Sequence, residues 1–386
     1  MIRSRILTDK RFLMTFLDNF ETIIDDRSYI NKSYELTDII FLTMAAILSG
    51  AKGWKSIHLF GTTKLTWLKQ FRPFVNGIPT RHSIGRIIRG IKAESLIGCF
   101  EQCVNEVREQ DGKEHISFDG KVIRGSRHGE AVKAIQIMSA MVTQTGLILT
   151  MEETPDKENE IPIMQSMLKA LSVEGAIITA DAMHCQTKTA KITREEGADY
   201  VLQIKGNQKK LLEETEAYFH KVRRDDLELF NQRTFDEIDG EHGRIYERCY
   251  RLLPITDWCT EAARWKDSHS LVEVIRNRTI KGETKQEISY YITSSTDGVE
   301  KLAGVIRNHW AIENSQHWVL DVTFREDESK IYADDGAKNM CLFRRLLMNM
   351  IKGHPLKDSV NGKMMRAGWD DEFRTEILFG SDCGKA

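Results

Sequence analysis

A mixed α/β protein with an all-helical N-terminal region is predicted by three features of this 386-residue sequence. Three strand-like stretches, 116–124, 132–143 and 147–153, are followed by alternating helix and strand patterns through residue 204. That is the plan of a mixed sheet covered by helices. Ahead of them, residues 34–49 are apolar nearly all round, as a buried helix is, and two more helical patterns follow. Behind them, residues 229–295 alternate turn residues with runs such as RIYERCYRLL and EISYYITSS, which read as a β-rich insertion.

Composition narrows the function classes. The chain is 41% hydrophobic and 29% charged, an ordinary soluble balance, and its length suits two or three domains. Its seven cysteines form no CxxC pair, which argues against a zinc ribbon and a secreted disulfide framework. The N-terminus has no apolar signal region, and the longest apolar stretch, Ile39 to Leu48, is too short to span a bilayer. A bacterial cytoplasmic protein with no membrane partner is expected. The net charge of −2 gives no overall bias toward nucleic acid, but its distribution does. From Ile39 through Ala93 there is no Asp or Glu, while nine Lys and Arg residues fall in the same window. Such local asymmetry suits phosphate.

Taken in order, residues 54–70 carry a second helical pattern, and Pro73, Gly77 and Pro79 mark a turn. Thr80 is placed to cap a helix beginning RHSIGRIIRGI, with Ile84, Ile87, Ile88 and Ile91 on one face. Arg81, Arg86, Arg89 and Lys92 lie largely off that face. A turn followed by a short basic helix is compatible with helix-turn-helix reading of DNA, or with a solvated face of a small bundle. A polar hinge at 108–115 ends this region. In the stretch ISFDGKVIRG, Ile116, Phe118 and Val122 favour a strand, and Asp119 inside it needs a positive partner. Lys121 or Arg124 could supply one; so could a hard cation such as Mg²⁺ held by a carboxylate on a rigid strand.

Thr145 and Gly146 mark a hairpin turn, and Glu158 or Asn159 opens a helix. The buried strand AIITAD (176–181) ends in a second acid, Asp181, which is either a helix N-cap or a partner for Asp119. A helix over 186–197 and a strand over 199–204 follow, then KGNQ and a helix over 208–222. Within the insertion, Trp258 and Trp265 are either core residues or platforms for an unpaired base. A long helix is expected over 299–320, and its extension RNHWAIENSQHWVLDVTF repeats His309, Glu313, His317 and Asp321 every four residues. Each four-residue step turns only about 40° off line, so the four form one stripe. The two histidines are about 12 Å apart along the axis and cannot share one zinc ion. A last amphipathic helix covers 337–352, and the tail beyond Pro355 is short and polar with no function assigned.

Together the motifs FDGKVIRGS, ITADAMHCQ, YVLQIKGNQ, HWAIENSQHWVLDVTFREDES and GAKNMCLFRRLLMNMIK resemble the H-repeat-associated proteins, insertion-sequence transposases of the DDE type. The resemblance implies an RNase H-like mixed-sheet core interrupted by a β-rich insertion, behind an N-terminal all-α DNA-binding domain. The division it suggests is 1–110 for that domain and 111–208 for the first part of the core. The insertion then takes 209–297, the last core helices 298–352, and the tail 353–386. It also implies catalytic, metal-holding acids at Asp119, Asp181 and Glu313 and two Mg²⁺ or Mn²⁺ ions. The expected partners are double-stranded DNA, as element ends and target, and a second copy on that DNA. The activity implied is strand cleavage and strand transfer. Lys121, Arg124 and Lys205 would steady phosphates, with His309, His317 and Asp321 in support. The wider insertion-sequence group often sets Tyr, Arg, Glu and Lys along the last helix; here those places hold Ile306, His309, Glu313 and Leu320. A metal nuclease without strand transfer and a non-catalytic DNA-binding descendant remain alternative readings.

Overall fold

The computed structural model describes residues 20–380, apart from 22, 24, 26, 28–31, 109–112, 129–132, 155–159 and 242–243. The expected helix start at Glu158 or Asn159, half of the 108–115 hinge and the first nineteen residues lie outside the described residues.

Helices α1 (Leu36–Leu48), α2 (Trp54–Thr63), α3 (Leu65–Leu68), α4 (Arg81–Arg89) and α5 (Ala93–Val107) form the N-terminal layer. Every residue of α1 is buried, as its all-round apolar pattern requires. Thr80 does cap α4, its Oγ1 accepting the Ser83 N–H at 3.3 Å. Cations of the acid-free window find counter-ions from elsewhere: Lys64 meets Asp371, and Arg72 meets Asp38 and Glu21.

Strands β1 (His115–Val122), β2 (Gln136–Val142) and β3 (Leu147–Thr154) make the antiparallel start of the sheet. Gly146, at φ 71°, closes the turn between β2 and β3, a conformation that suits glycine. Helix α6 (Glu160–Ala170) leads to β4 (Ile177–Ala180), and α7 (Thr187–Glu195) to β5 (Asp199–Ile204). Both new strands run parallel to β1. The order β3-β2-β1-β4-β5 is the RNase H-like core that the motifs imply.

After α8 (Lys209–Asp225) and α9 (Leu227–Gln232), four long strands follow. They are β6 (Thr234–Glu241), β7 (Arg244–Pro254), β8 (Ser270–Ile280) and β9 (Glu283–Thr293). They are β-rich as expected, yet they extend the same sheet: β9 pairs antiparallel with β5, giving nine strands in the order β3-β2-β1-β4-β5-β9-β8-β7-β6. Near β5 both faces are covered, one by Leu302, Ala303, Val305 and Ile306 of α10 (Val299–Asn308). Trp265 is buried in the core on the other face, and Trp258 stacks on Tyr218 with ring centroids 5.4 Å apart. Of the two expectations for this pair, the structure supports a packing role for Trp265.

The helix expected over 299–320 is not one regular helix. It passes from α10 through a π-helical segment, Glu313–His317, into α11 (Trp318–Val322). Helix α12 (Gly336–Gly353) then ties the layers together. Its Asn339 Nδ2 donates to the Ile88 and Ile91 carbonyls at the end of α4. Its Asn349 bonds both the N–H and the C=O of Ile148, beside the register shift between β2 and β3. The tail, expected to be merely polar, forms α13 (Val360–Trp369) and α14 (Asp371–Phe379) on the N-terminal layer. Phe379 stacks on Phe71 at 4.4 Å, and the Arg374 guanidinium lies 4.0 Å from the Trp67 ring centre.

Glu326 is fully buried between two arginines of α12, with Arg345 Nη1 at 2.9 Å and Arg344 Nη1 at 3.6 Å. Burial alone would raise this carboxyl; Arg345 and then Arg344 outweigh it and hold it below the ordinary 4.5. Arg345→Leu leaves the buried Glu326 charge with only the longer Arg344 contact and is expected to cost about 3–5 kcal/mol in urea denaturation near neutral pH. Because the folded value is the lower one, the pair's support is full above 4.5 and lost as pH falls through the folded value. The gap between wild type and Arg345→Leu should therefore narrow in acid, and a gap that stays constant there would remove the pair as its cause.

Candidate active site

The site begins with register. Phe118 of β1 pairs in parallel with Ala180 of β4, so the next residue on each strand is an acid: Asp119 and Asp181. Neighbouring strands lie about 4.8 Å apart, which sets the two carboxylates side by side. Alternation then makes one face of both strands polar, with His115, Ser117 and Asp119 on β1 and Thr179 and Asp181 on and just after β4. In strands otherwise apolar, that period-two series (H-I-S-F-D beside I-I-T-A-D) was the available signal for the residues supporting the acids.

The π segment lies across this face. His309 Nδ1 is 2.9 Å from Ser117 Oγ and 3.0 Å from Thr179 Oγ1, and its Nε2 is 3.6 Å from Asp181 Oδ1. His115, buried beneath, is 2.7 Å from Thr179 Oγ1 through Nε2 and 2.9 Å from Thr143 Oγ1 through Nδ1. Burial, then the nearby His309, lowers His115 to about 3 and keeps it neutral. His317 Nδ1 lies 3.3 Å from Asp119 Oδ2. Burial, then Arg345 and Lys121, lowers His317 to about 3, so a neutral ring stands beside Asp119. Each histidine of the stripe thus serves a different acid, as their axial separation requires. Glu313 lies between them in sequence. An i→i+5 segment turns less per residue than an α-helix, so residues four apart stay closer to one line, and such segments are frequent at functional sites. Lys352 of α12 donates to the Ser315 carbonyl inside that segment at 3.0 Å.

Electrostatics tie the three acids together. Asp119 is pushed up to about 8, by burial first and then by the charge of Asp181, with Glu313 and Glu160 adding and the Gly120 N–H opposing. Glu313, exposed on the helix, is raised by desolvation and by Asp181. Asp181, exposed at the strand end, is lowered, chiefly by His309. Glu160, which sequence reasoning missed, is buried at the start of α6, with His184 at 3.8 Å. A Cβ on Gly120 would come within 3.1 Å of its carboxylate, which accounts for the glycine after Asp119. At Gly125 a Cβ would collide with the Asp327 carbonyl oxygen, so the second glycine of the motif admits the 327–329 loop.

Other expected site residues are distributed differently. Lys121 is buried, with Asp321 at 2.6 Å and Asp327 at 3.4 Å. The Lys121 charge is thus paired inside the protein, with Asp321 as one of its counter-ions. Arg124 is exposed, 3.6 Å from Asp327. Lys205 is exposed at the end of β5, close enough to help lower Asp181. Arg81, Arg86 and Lys92 are exposed in the N-terminal layer, and Arg89 is half-buried with Nε on the Gly85 carbonyl at 3.1 Å. Lys55, Arg81, His82 and Arg89 line a polar depression of about 390 Å³ beside Trp54.

Buried and exposed carboxylates that raise one another's proton affinity are a donor set for a hard divalent ion. Among the described residues, as the side chains stand, no three acidic, histidine or cysteine groups are spaced to grip an ion. The donor chemistry fits, and two of the three carboxylates, Asp181 and Glu313, are exposed.

A core of order β3-β2-β1-β4-β5 with acids at the ends of its two central parallel strands is the framework of the RNase H-like, DDE-type proteins. The chain belongs to the transposase family of that class: residues 110–350 match the family "Transposase DDE domain", and residues 17–104 match the family described as "DDE_Tnp_1-associated". The chain is 32% identical over 376 residues to the H repeat-associated protein YhhI of Escherichia coli (strain K12), covering 96% of this chain and 99% of that one. It is equally identical over 372 residues to YncI of Escherichia coli O157:H7, named a transposase, covering 95% of each. A shorter relative from strain K12, "Inactive transposase YbfQ", is 38% identical over 76 residues, 20% of this chain and 90% of its own. Among solved structures, the piggyBac transposase synaptic complex with hairpin DNA gives a TM-score of 0.48 at 11% identity, over 97% of this chain and 79% of that one.

A carboxyl raised from 3.8 to about 8 on folding favours the folded state only while protonated. Its contribution is full below 3.8 and lost as pH rises through 8. Asp119→Asn is therefore expected to stabilise the metal-free protein by a few kcal/mol at pH 8, since each tenfold change in proton affinity is worth about 1.4 kcal/mol. The advantage should vanish toward pH 4 in thermal or urea melts. An equal or lower stability for the variant at pH 8 would show that Asp119 is not under this electrostatic load.

Proposed function

We propose that this protein is an active DDE transposase that cuts DNA strands at the ends of an insertion element and joins them to target DNA. The observation that carries the reading is the pairing of β1 with β4, which sets Asp119 beside Asp181 beneath the segment that bears Glu313. Asp119, Asp181 and Glu313 would hold two Mg²⁺ or Mn²⁺ ions. A bound metal pair supplies an activated water or 3′-hydroxyl and charge stabilisation for the leaving oxygen.

The chain's own groups do the rest. Asp119, whose proton is held by burial and by the charges of Asp181 and Glu313, would release it to a bound cation. His317 lies beside Asp119 and His309 beside Asp181, and His309 is held from behind by Ser117 and Thr179. Lys205 and Arg124, both exposed, suit phosphate oxygens beside the scissile bond. The exposed cations of α4, with Lys92, suit the duplex backbone further out. We assign residues 1–110 to DNA binding and 111–208 with 298–352 to the catalytic core. The strands of 209–297 are assigned to shaping the DNA path beside it. A pair of chains would hold the two element ends. Among the described residues no helix is long and apolar enough to cross a membrane, which accords with work in the bacterial cytoplasm.

Two other readings differ in outcome. A nuclease would cut and not join, and a non-catalytic DNA-binding descendant would bind and not cut. Purified protein incubated with element-end DNA and Mg²⁺ should give joined product. Asp119→Asn, Asp181→Asn and Glu313→Gln should each abolish cleavage, with DNA binding unchanged or tighter as a negative charge near phosphate is removed. Loss of cleavage in Asp321→Asn alone, with Glu313→Gln active, would overturn the assignment.

DNA binding by α4 has its own test. Replacing Arg81, Arg86 and Arg89 with Ala should weaken duplex binding and flatten its salt dependence by about 0.9 for each phosphate the variant no longer neutralises. An unchanged slope in a salt titration of Kd would remove this helix from the interface.

A further inference from the structure

Lys352 stands in the last turn of α12. A lysine there ordinarily extends into water past the helix end. This one turns inward, and its Nζ meets two backbone carbonyls, Ser315 at 3.0 Å and Gly146 at 3.4 Å. Among the described residues no carboxylate charge offsets its burial, which pushes the ammonium down to about 8. The β2–β3 turn is shaped to admit it: a Cβ on Gly146 would lie 2.9 Å from Nζ. Gly146 thus meets two demands, the positive φ of the turn and room for the ammonium. Holding a cation away from water costs stability, which neutral carbonyls offset only in part. Departures of this kind from the most stable choice gather at functional sites.

What the ammonium holds is the middle of the π segment. A single π turn is a local departure from the regular helical ladder. It keeps one geometry only if something outside the helix holds it. His309 and His317 meet the strand acids on either side of the turn. Between them, among the described residues, two hydrogen bonds tie residues 313–316 to other elements. One is Lys352 to the Ser315 carbonyl; the other, Ser315 Oγ to Met141 Sδ of β2 at 3.7 Å, is weak. Gln316 is fully buried, and neither its amide nitrogen nor its amide oxygen is bonded. Lys352 is therefore the strong tie at the centre of the segment. Glu313 opens the same turn, two residues before Ser315 and so on nearly the opposite side of it. The anchor thus grips the turn from behind the exposed acid.

We propose that Lys352 is a positioning residue for Glu313: its ammonium clamps the wide turn at Ser315 to the β2–β3 turn and so fixes where the Glu313 carboxylate meets a cation shared with Asp119 and Asp181. The inference deepens the transposase reading and rests on it for the role of Glu313.

The test is a cycle of variants read by Mn²⁺ binding. Wild type, Lys352→Met, Lys352→Arg, Glu313→Gln and the double variant Lys352→Met with Glu313→Gln are titrated with Mn²⁺ alone, once urea melts show each to be folded. Should Met prevent folding, Lys352→Gln, uncharged and shorter in reach, serves in its place. Groups that orient a metal ligand are worth about 10- to 100-fold in affinity, so Lys352→Met should weaken Mn²⁺ binding at least about tenfold. Arg should restore most of the loss. In the Glu313→Gln background the same change should have no further effect, because the clamp acts through Glu313. In metal-free protein the amides of Glu313–His317 should exchange faster in Lys352→Met than in wild type. An equal loss of Mn²⁺ affinity in both backgrounds, or unchanged exchange, overturns the proposal. Should Glu313→Gln weaken Mn²⁺ binding while Lys352→Met does not, the clamp fails and the catalytic reading stands. Should Glu313→Gln bind Mn²⁺ as wild type does, the catalytic reading itself fails and the clamp falls with it.

Discussion

Repulsion between two carboxylates on adjoining parallel strands is the constraint around which this molecule is built. The β1–β4 register fixes Asp119 and Asp181 as neighbours. Burial disfavours the Asp119 charge and the neighbouring Asp181 charge adds to that cost, so the Asp119 carboxyl is raised to about 8. The Gly120 N–H relieves only part of it. The surroundings hold the arrangement in place: neutral imidazole at Asp119, a second imidazole at Asp181, a hydroxyl row beneath them, and a helix that widens into a π turn where it crosses the strand ends. Local strain of this kind is retained where function needs it and supported from elsewhere.

Support comes from behind the site. Lys121, one strand position past Gly120, points inward to Asp321 and Asp327 and fastens β1 to α11. Glu326, on the turn just after that helix, is fastened to α12 through Arg345, whose Nε is 3.3 Å from Ser139 Oγ. Ser139 is the β2 residue in register with Asp119. Charge-assisted bonds thus link β1, α11, α12 and β2 around the acids, and burial shields the Glu326–Arg345 pair from water.

Much of the architecture could be read in the sequence because periodicity is a local property. The strand over 199–204, the Thr80 cap and the turn at Gly146 depend on a few adjacent residues. The candidate acids were legible for the same reason, as charges breaking otherwise apolar strands. What could not be read depends on partners far apart. The acid-free window hides Asp371 and Asp38 as counter-ions for Lys64 and Arg72, and Asp371 is about 300 residues from Lys64, since only tertiary packing joins them. Nothing nearby in sequence announces Asp321 as a partner of Lys121. The helices after Pro355 were passed over because their apolar residues, Phe373, Ile377 and Phe379, complete a core begun more than 300 positions earlier. The π segment leaves a clearer trace: four-residue spacing over four polar residues fits a widened turn better than a regular α-helix.

The account stands or falls on whether Asp119, Asp181 and Glu313 form one cation site. A crystal structure of the protein soaked with Mn²⁺, with the ions located by anomalous scattering, tests this most directly. Density should lie between the carboxylates of Asp119 and Asp181 and extend to Glu313, with Asp321 still bound to Lys121. Manganese found at His309 and His317 away from the strand acids, or on Asp321 with Glu313 turned to solvent, would contradict it.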